Sequence, residues 1–293
     1  MDDKDFYNQA SSSKLGWLPQ DFGCDHFDDD LLKAIKIFQK ENGLKADGLC
    51  GPGTYRRLVA KKESEDNKHK RYHCADSDDN HIICNNQEIK IDWPRVLTYK
   101  DMGGLKLTQG FRRHSGKRDV KYFVNHWDVC LNSETCVKVL RKRGISVHFC
   151  IDNDGTIYQL MDANDIAWHA GGSTWNADSI GVEITNAYYP KYQNWYKKNG
   201  YGERPIWSGK EVHGSKQPDF LGFYDVQLDA LKALWKSIHV AYDIPLVSPV
   251  NKKTVDPFVT KGKFRGFINH YHLKKSKIDC AGLDIDLLLK DIK

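Results

Sequence analysis

The sequence has no apolar stretch long enough to cross a membrane and no apolar segment at its start. Among its 293 residues there is no uncharged hydrophobic run of about 18 residues, the length that a membrane helix needs. The opening MDDKDFYNQASSSK is acidic and lacks the apolar core of a secretory signal. We therefore expect no stable membrane insertion, and a chain that stays in the compartment where it is made.

A strong excess of one charge is also missing. The chain has 44 Lys and Arg against 39 Asp and Glu, a formal net charge of +5, and the two signs are interleaved. The absence of a basic stripe argues against nucleic acid as a partner, whereas a mild positive balance suits an anionic polymer such as a bacterial cell wall. Eight cysteines in a chain of this length without a signal do not indicate a disulfide scaffold.

The N-terminal part, residues 1–62, has the pattern of a small helical unit with a modest core. In DDDLLKAIKIFQKENGL, Leu31, Ile35 and Phe38 fall on one helical face. Asp28 to Asp30 supply cap chemistry and charge for the start of this helix, and Gly43 a stop at its end. The turn-rich ADGLCGPGT then leads into a further short helix.

Residues 63–86 have the composition of a charged linker. ESEDNKHKRYHCADSDDN contains almost no large aliphatic residue. The segment also holds four side chains able to bind zinc: His73, Cys74, His81 and Cys84. Their spacing does not follow the paired two-residue gap of structural zinc sites, so a tether is the better interpretation.

Residues 87–293 show the alternation of strands and helices that is typical of an α/β domain with a mixed central sheet flanked by helices. KYFVNHWD and DSIGVEITNA read as buried strands, and ISVHFCID with TIYQLMD forms a hairpin around NDG. Ser133 is the expected cap of a helix that ends at Gly144, and DVQLDALKALWKSIHVAYD is a long amphipathic helix.

The closing segment FINHYHLKKSKIDCAGLD offers more metal ligands than one site needs. Its candidates are His270, His272, Asp279 and Cys280. If the segment is extended, the two histidines face the same way and direction alone cannot choose between them. Glu183 in SIGVEI lies on a strand between apolar neighbours, where a carboxylate needs a functional reason.

These motifs resemble those of two protein families. IKIFQKENGL followed by ADGLCGPGTYRRL is similar to the peptidoglycan-binding type 1 module, a three-helix domain. A strand ending in His126, a strand–DG–strand hairpin, WHAG, SIGVEI and a closing His with Lys-x-Asp occur in the order found in type 2 N-acetylmuramoyl-L-alanine amidases, over residues 91–290. That family includes phage endolysins and peptidoglycan-recognition proteins.

The resemblance implies a catalytic zinc site, which needs three protein ligands and an open position. Its implied ligands are His126, His270 and Asp279, with His270 favoured over His272 by its distance from Lys277 and with Cys280 as a spare candidate. It also implies that Glu183 is the general base and that Lys277 stabilises the oxyanion. The implied substrate-binding residues are Trp168, His169, Trp175 and Asn176.

From the resemblance we expect a monomeric, zinc-dependent peptidoglycan amidase held on the wall by its N-terminal domain. Without a signal, it would be made in a host cytoplasm and reach the wall during lysis, as an endolysin does. Two alternatives are a recognition protein without catalysis and a zinc endopeptidase, although no HExxH occurs. The positions of Cys130 and Cys136 resemble those of two cysteines that form a disulfide in peptidoglycan-recognition proteins. In a reducing compartment this disulfide would not form.

Overall fold

The computed structural model describes residues 3–65 and 76–292, and its first part is helical. The helices there are α1 (Asp3–Leu15), α2 (Asp29–Glu41) and α3 (Pro52–Glu65), with a short 3₁₀ turn at Pro19–Phe22. The Asp28 carboxylate accepts hydrogen bonds from the backbone of Asp30 and Leu31, as an N-cap does. Gly43 follows the end of α2 with φ 62°, a left-handed conformation that favours glycine. The predicted three-helix architecture is confirmed.

Two buried amides fix the turn between α2 and α3. Gln39 donates from Nε2 to Asp47 Oδ1 at 2.9 Å and accepts at Oε1 from the Gly48 backbone at 2.9 Å. Asn8 accepts from the Cys50 backbone and donates to the Gly48 carbonyl. These bonds satisfy backbone groups that the turn would otherwise leave unpaired in the interior, so the turn has one defined conformation.

The second part of the chain is built on one mixed sheet. In chain order the strands are β1 (His81–Cys84), β2 (Gln87–Lys90), β3 (Val96–Leu97), β4 (Phe111–Arg112), β5 (Tyr122–Trp127), β6 (Phe149–Ile151), β7 (Ile157–Gln159), β8 (Ile166–Ala167), β9 (Ser179–Ile184), β10 (Ile206–Trp207), β11 (Glu211–Val212), β12 (Ser215–Lys216), β13 (Phe220–Leu221) and β14 (Gly266–Asn269). Six of them form the main sheet in the order β14-β5-β9-β6-β7-β3. Its pairs are parallel except the β6–β7 hairpin, which confirms the predicted mixed α/β class.

Helices cover both faces of this sheet. They are α4 (Ser133–Arg143), α5 (Ser173–Ala177), α6 (Gln193–Lys198), α7 (Asp225–Tyr242), α8 (Pro257–Thr260) and α9 (Ile285–Lys290), with 3₁₀ turns at Pro190–Tyr192 and His270–His272. The cap of α4 is Asn132, which accepts from the Thr135 backbone, and not Ser133 as expected; Gly144 ends the helix as expected. Among residues 3–65 and 76–292, no helix has the apolar length needed to traverse a bilayer.

Side chains alternate between the two faces of the sheet. Phe123, Phe149 and Val182 belong to a buried cluster with Leu231 and Trp235 of α7. The residues between them point to the other face. Register pairs His126 with Glu183 across β5 and β9, and Glu183 with Cys150 across β9 and β6. Directly opposed residues of neighbouring strands share a face, so His126, Glu183 and Cys150 lie side by side.

The N-terminal helices pack against α4 through a continuous apolar cluster. It joins Trp17 and Leu58 to Val137 and Leu140 of α4. At the edge of this cluster, Oε1 of Glu63 accepts hydrogen bonds from Asn132 Nδ2 and Thr135 Oγ1, both at 2.6 Å. The helical unit therefore docks against the sheet domain over a buried surface.

The predicted linker at residues 63–86 contains regular structure at both ends. Helix α3 continues to Glu65, and β1 pairs with β2 near the far end. Ile83 donates from its backbone to Gln159 Oε1 at 2.7 Å and accepts from Gln159 Nε2 at 2.6 Å, which joins β1 to the main sheet. Residues 66–75, including His73 and Cys74, lie outside the described residues, and the predicted domain division stays a prediction.

The buried carboxyl of Glu63 predicts a pH-dependent stability. Burial raises the pKa of Glu63, so the folded chain favours its protonated form. Stability from this group is present below the unfolded pKa of about 4.3 and is lost as pH rises through the higher folded value. Glu63→Gln keeps the accepting oxygen, and we expect its melting temperature to exceed that of the wild type at pH 7 but to match it at acid pH. Calorimetry across this range, with exposed Glu65→Gln as control, tests the effect; identical pH profiles for wild type and Glu63→Gln would contradict it.

Candidate metal centre

Three side chains converge where two parallel strands end. His126 lies on β5, and His270 directly follows the neighbouring strand β14. His126 Nδ1 is 2.9 Å from His270 Nδ1 and 3.0 Å from Asp279 Oδ2, and His270 Nδ1 is 2.9 Å from the same oxygen. The structure therefore brings together His126, His270 and Asp279, the three residues predicted from the sequence as metal ligands.

The geometry of the closing segment separates the two histidines that the sequence could not distinguish by direction. His270, Tyr271 and His272 form a 3₁₀ turn instead of an extended strand, so the two imidazoles point different ways. His272 Nδ1 accepts a hydrogen bond from the Asn269 backbone at 2.9 Å, away from Asp279. Cys280 is fully buried in the apolar cluster under the sheet.

The donor set of His126, His270 and Asp279 fits a zinc ion. Two imidazole nitrogens and a carboxylate oxygen are ligands of catalytic zinc, which keeps a further position open. Burial, and then the charge of His270, lower the pKa of His126. Burial alone would raise the pKa of Asp279, but the two histidines hold it well below its usual range. Both shifts favour a neutral imidazole and an ionised carboxylate, the forms that bind a metal.

Hydrogen bonds to the second nitrogen of His126 set its tautomer. Ser179 donates from Oγ to the Trp175 carbonyl at 2.6 Å, so its oxygen can accept from His169 Nε2 at 3.2 Å. His169 Nδ1 then accepts from His126 Nε2 at 2.9 Å. This chain of donors leaves the lone pair of His126 Nδ1 free for a metal, an outer-sphere arrangement that orients metal ligands.

His169 thus has both ring nitrogens engaged within the protein. A Cβ atom on Gly181 of β9 would lie 2.5 Å from His169 Nδ1, so the glycine is what admits this ring beside the strand. The predicted contact of His169 with substrate would have to use the rest of the ring, and it stays a prediction. Nearby His148 donates from Nε2 to the Asp165 carbonyl and accepts from the Gly181 backbone, and burial lowers its pKa to about 3. It is a neutral structural residue.

The other predicted site residues lie around the centre in different environments. Glu183 is 7% exposed, and its Oε2 has no hydrogen-bond partner among the described residues. Lys277 is half-buried two positions before Asp279. Trp168 is 45% exposed. Asn176 accepts at Oδ1 from the backbones of His169 and Ala170, so it holds the WHAG loop.

A cavity of about 420 Å³ opens beside this loop. Trp168 and Asn176 line it together with Arg112 of β4, whereas Trp175 packs half-buried against the cluster that contains Tyr122. Sequence reasoning missed Arg112, since it is one cation in the basic stretch FRRHSGKR and carries no motif. It also missed Ser179, which is a small residue at a strand start.

A second group of potential ligands already has hydrogen-bond partners within the protein. Asp128, Cys130 and Cys136 lie close together and buried. Asp128 already accepts from the backbones of Cys130 and Asn186 and from Thr185 Oγ1. Burial raises the pKa of Asp128 to about 8. The hydrogen bond with Cys136, and then burial, raise the pKa of Cys130. At Cys136 the hydrogen bond with Cys130 acts to lower the pKa, but the hydrogen bond with Cys150 and burial outweigh it and raise the pKa. Cys130 and Cys136 are free thiols in this structure, so the disulfide that the resemblance allowed is not formed here.

The mixed sheet carries two histidines and one carboxylate, a donor set typical of metal-dependent hydrolases, beside a glutamate whose Oε2 has no hydrogen-bond partner among the described residues. Comparison with protein families identifies this domain more closely. Residues 116–279, more than half of the chain, match the family described as N-acetylmuramoyl-L-alanine amidase, and residues 13–58 match a peptidoglycan binding domain. The chain therefore belongs to the N-acetylmuramoyl-L-alanine amidase family, which confirms the predicted family, enzyme class and cell-wall substrate class.

The chain is also similar in part to the solved structures of several amidases. The amidase AmiD from E. coli is 22% identical, with 49% of this chain and 55% of that chain covered and a TM-score of 0.31. The endolysin LysCS from Clostridium intestinale is 15% identical, with 68% and 95% covered and a TM-score of 0.40. The Ph2119 endolysin from a Thermus scotoductus bacteriophage is 16% identical, with 68% and 99% covered and a TM-score of 0.39. Among curated proteins no match was found.

The different directions of the two neighbouring histidines predict different effects on metal binding. We expect His270→Ala to lose most of the bound zinc, because one of three converging ligand atoms is removed. His272→Asn keeps an acceptor for the Asn269 backbone and should retain zinc at the wild-type level. Elemental analysis of both purified variants, with circular dichroism as the folding control, measures this; zinc loss in His272→Asn with retention in His270→Ala would reverse the assignment.

Proposed function

We propose that this amidase is zinc-dependent and cleaves the amide bond between the lactyl group of N-acetylmuramic acid and L-alanine of the stem peptide. The observation that carries the proposal is the convergence of His126 Nδ1, His270 Nδ1 and Asp279 Oδ2 within 3.0 Å. Three lone-pair atoms held this close in a buried place are stabilised together by a cation. Membership of the amidase family supports the choice of bond.

Glu183 is proposed as the general base. Zinc held by the three ligands would polarise the scissile carbonyl and lower the pKa of a water molecule. Glu183 faces the same side of the sheet as His126, its register partner. A buried carboxylate oxygen without a partner costs on the order of 1–3 kcal/mol, and this cost is offset when Oε2 accepts a proton from the attacking water. The carboxyl can then pass that proton to the leaving amine.

Lys277 is proposed as the group that stabilises the developing oxyanion. It lies two residues before Asp279, and within the described ranges no carboxylate is within 4.0 Å of its ammonium. An ammonium without an ion-pair partner can donate to the negative oxygen as the carbonyl becomes tetrahedral.

The cavity lined by Arg112, Trp168 and Asn176 is proposed as part of the substrate groove. The exposed ring of Trp168 offers an apolar face for a sugar ring or peptide. The guanidinium of Arg112 can pair with a carboxylate of the stem peptide through two parallel hydrogen bonds. Trp175 and His169 would act behind this surface by supporting the loop.

For the whole chain we propose the role of a monomeric endolysin that lyses a host bacterium from within. The match of residues 13–58 to a peptidoglycan binding domain supports attachment to the wall next to the catalytic domain. The complete set of three ligand atoms together with Glu183 favours an enzyme over a recognition protein without catalysis.

The bond cleaved is tested by the products of digestion. We expect mass spectrometry of peptidoglycan treated with the protein to show free stem peptides with a new N-terminal L-alanine and glycan chains with intact lactyl groups. Chelation of zinc beforehand should remove the activity. Products cut within the cross-links, with no new L-alanine terminus, would replace the amidase assignment by an endopeptidase.

The role of Glu183 is tested by Glu183→Gln, which keeps the shape of the side chain and removes its basicity. We expect kcat to fall by about 10²–10⁴-fold, the usual contribution of a general base, with zinc content unchanged. Partly exposed Glu134→Gln on α4 is the matched control and should keep full activity. An unchanged kcat, or a parallel loss of zinc, would show that Glu183 does not act as the base.

A further inference from the structure

A second cavity lies between the N-terminal helices and the long segment that follows β9. It has a volume of about 270 Å³. One wall contains Asn42 and Lys61 from the helical unit, and the other contains Lys191, Tyr192, Trp195 and Lys198. None of the residues of the metal centre line this cavity, so it is a separate feature of the molecule.

Direct bonds hold the two walls in a fixed relation. Lys191 donates from Nζ to Asn42 Oδ1 at 2.8 Å, and Tyr189 donates from Oη to the Asn42 carbonyl at 2.7 Å. Arg57 donates from Nε to Tyr189 Oη at 3.1 Å. Ala60 of α3 belongs to the same buried cluster as Tyr196 of α6. The cavity is therefore formed before any ligand arrives, which lowers the entropy cost of binding.

The lining of this cavity is positive. Its charged side chains are Lys61, Lys191 and Lys198 against the single carboxylate of Glu41. Within residues 3–65 and 76–292, no carboxylate lies within 4.0 Å of the Lys61 or Lys198 ammonium groups. Burial lowers the pKa of Lys191, as expected for an ammonium that has lost water and would gain from a nearby anion.

The floor of the cavity adds groups that suit a sugar or a peptide. Tyr192 and Trp195 are each 4% exposed, and they present ring surface beside the lysines. The Tyr192 hydroxyl is buried and has no hydrogen-bond partner among the described residues. A buried hydroxyl without a partner is unfavourable, and a ligand oxygen that reached it would satisfy it.

From these observations we propose that the cavity is a second binding site for the cell wall, which takes an anionic segment of the wall polymer. The ligand would offer a carboxylate or phosphate oxygen next to a sugar or peptide. Stem peptides carry carboxylates, and phosphate-bearing wall polymers carry phosphates. The inference rests on the proposed cell-wall substrate, but it concerns binding at a place other than the metal centre. Because both parts of the chain supply walls, the site exists only while they are docked.

The test uses the full chain with Lys61→Met and Lys198→Met together. This double variant leaves the Lys191–Asn42 bond in place and removes two ammonium groups that face the cavity. Lys90→Met with Lys236→Met is the matched control, since both lysines are exposed and neither lines the cavity. All binding assays carry Glu183→Gln so that the wall is not digested, and thermal unfolding confirms that each variant is folded.

Sedimentation with purified Gram-positive cell walls measures the affinity, once with intact walls and once with walls stripped of phosphate polymers by acid. We expect the double variant to bind about tenfold more weakly, since two charge-assisted contacts are lost, and the control to bind as the parent does. A loss on both wall preparations identifies carboxylates as the ligand, and a loss on intact walls alone identifies phosphates. Unchanged affinity for both preparations would overturn the proposal.

A soluble N-acetylmuramoyl peptide separates this inference from the proposed activity. With Glu183 intact, the double variant should hydrolyse this small substrate at the wild-type kcat and keep its zinc, because the cavity does not contribute to the centre. If neither protein hydrolyses it, the proposed reaction fails while the wall-binding result stands by itself. If the double variant alone loses kcat, the lysines act at the catalytic site and the second site is refuted.

Discussion

The candidate metal centre depends on the parallel pairing of β14 with β5. Its register opposes Asn269 to Asn125, so the next residue of each strand, His270 and His126, emerges at the same edge of the sheet. Asp279 is brought to this edge by a return of the chain, in which the Tyr271 backbone donates to the Asp279 carbonyl. A one-residue slip would turn one imidazole to the opposite face. The sheet therefore sets the ligand geometry before any ion is bound.

The neighbouring strand β9 completes the site through two residues of the same face. Glu183 is placed beside His126, and Gly181 leaves the space that the His169 ring occupies. That ring in turn directs the Nδ1 lone pair of His126 toward the other ligands. Burial of an unpartnered carboxylate and of several imidazoles is unfavourable for folding, and the strongly apolar opposite face of the sheet offsets it.

The helical unit at the N-terminus is part of the same body as the sheet domain. Apolar contacts with α4, the Glu63 hydrogen bonds and the Asn42 contacts with Tyr189 and Lys191 attach it at several places. The predicted division into two domains joined by a charged linker stays a prediction, because composition reports only what the connection is made of. Contacts made by residues on either side of it decide how the units are placed, and these have no local pattern.

Elements and motifs that depend on near neighbours along the chain could be predicted from the sequence alone. The capped helix α2, the buried strands β5 and β9, the hairpin and the order of His126, Glu183 and Asp279 follow from periodicity, turn residues and short motifs. The placement of His270 and not His272 beside Asp279, the contact of His126 with a residue 144 positions away, and the position of Arg112 near Trp168 are visible only in the tertiary structure. Those outcomes depend on strand register and on side chains meeting through space, which no short stretch of sequence contains.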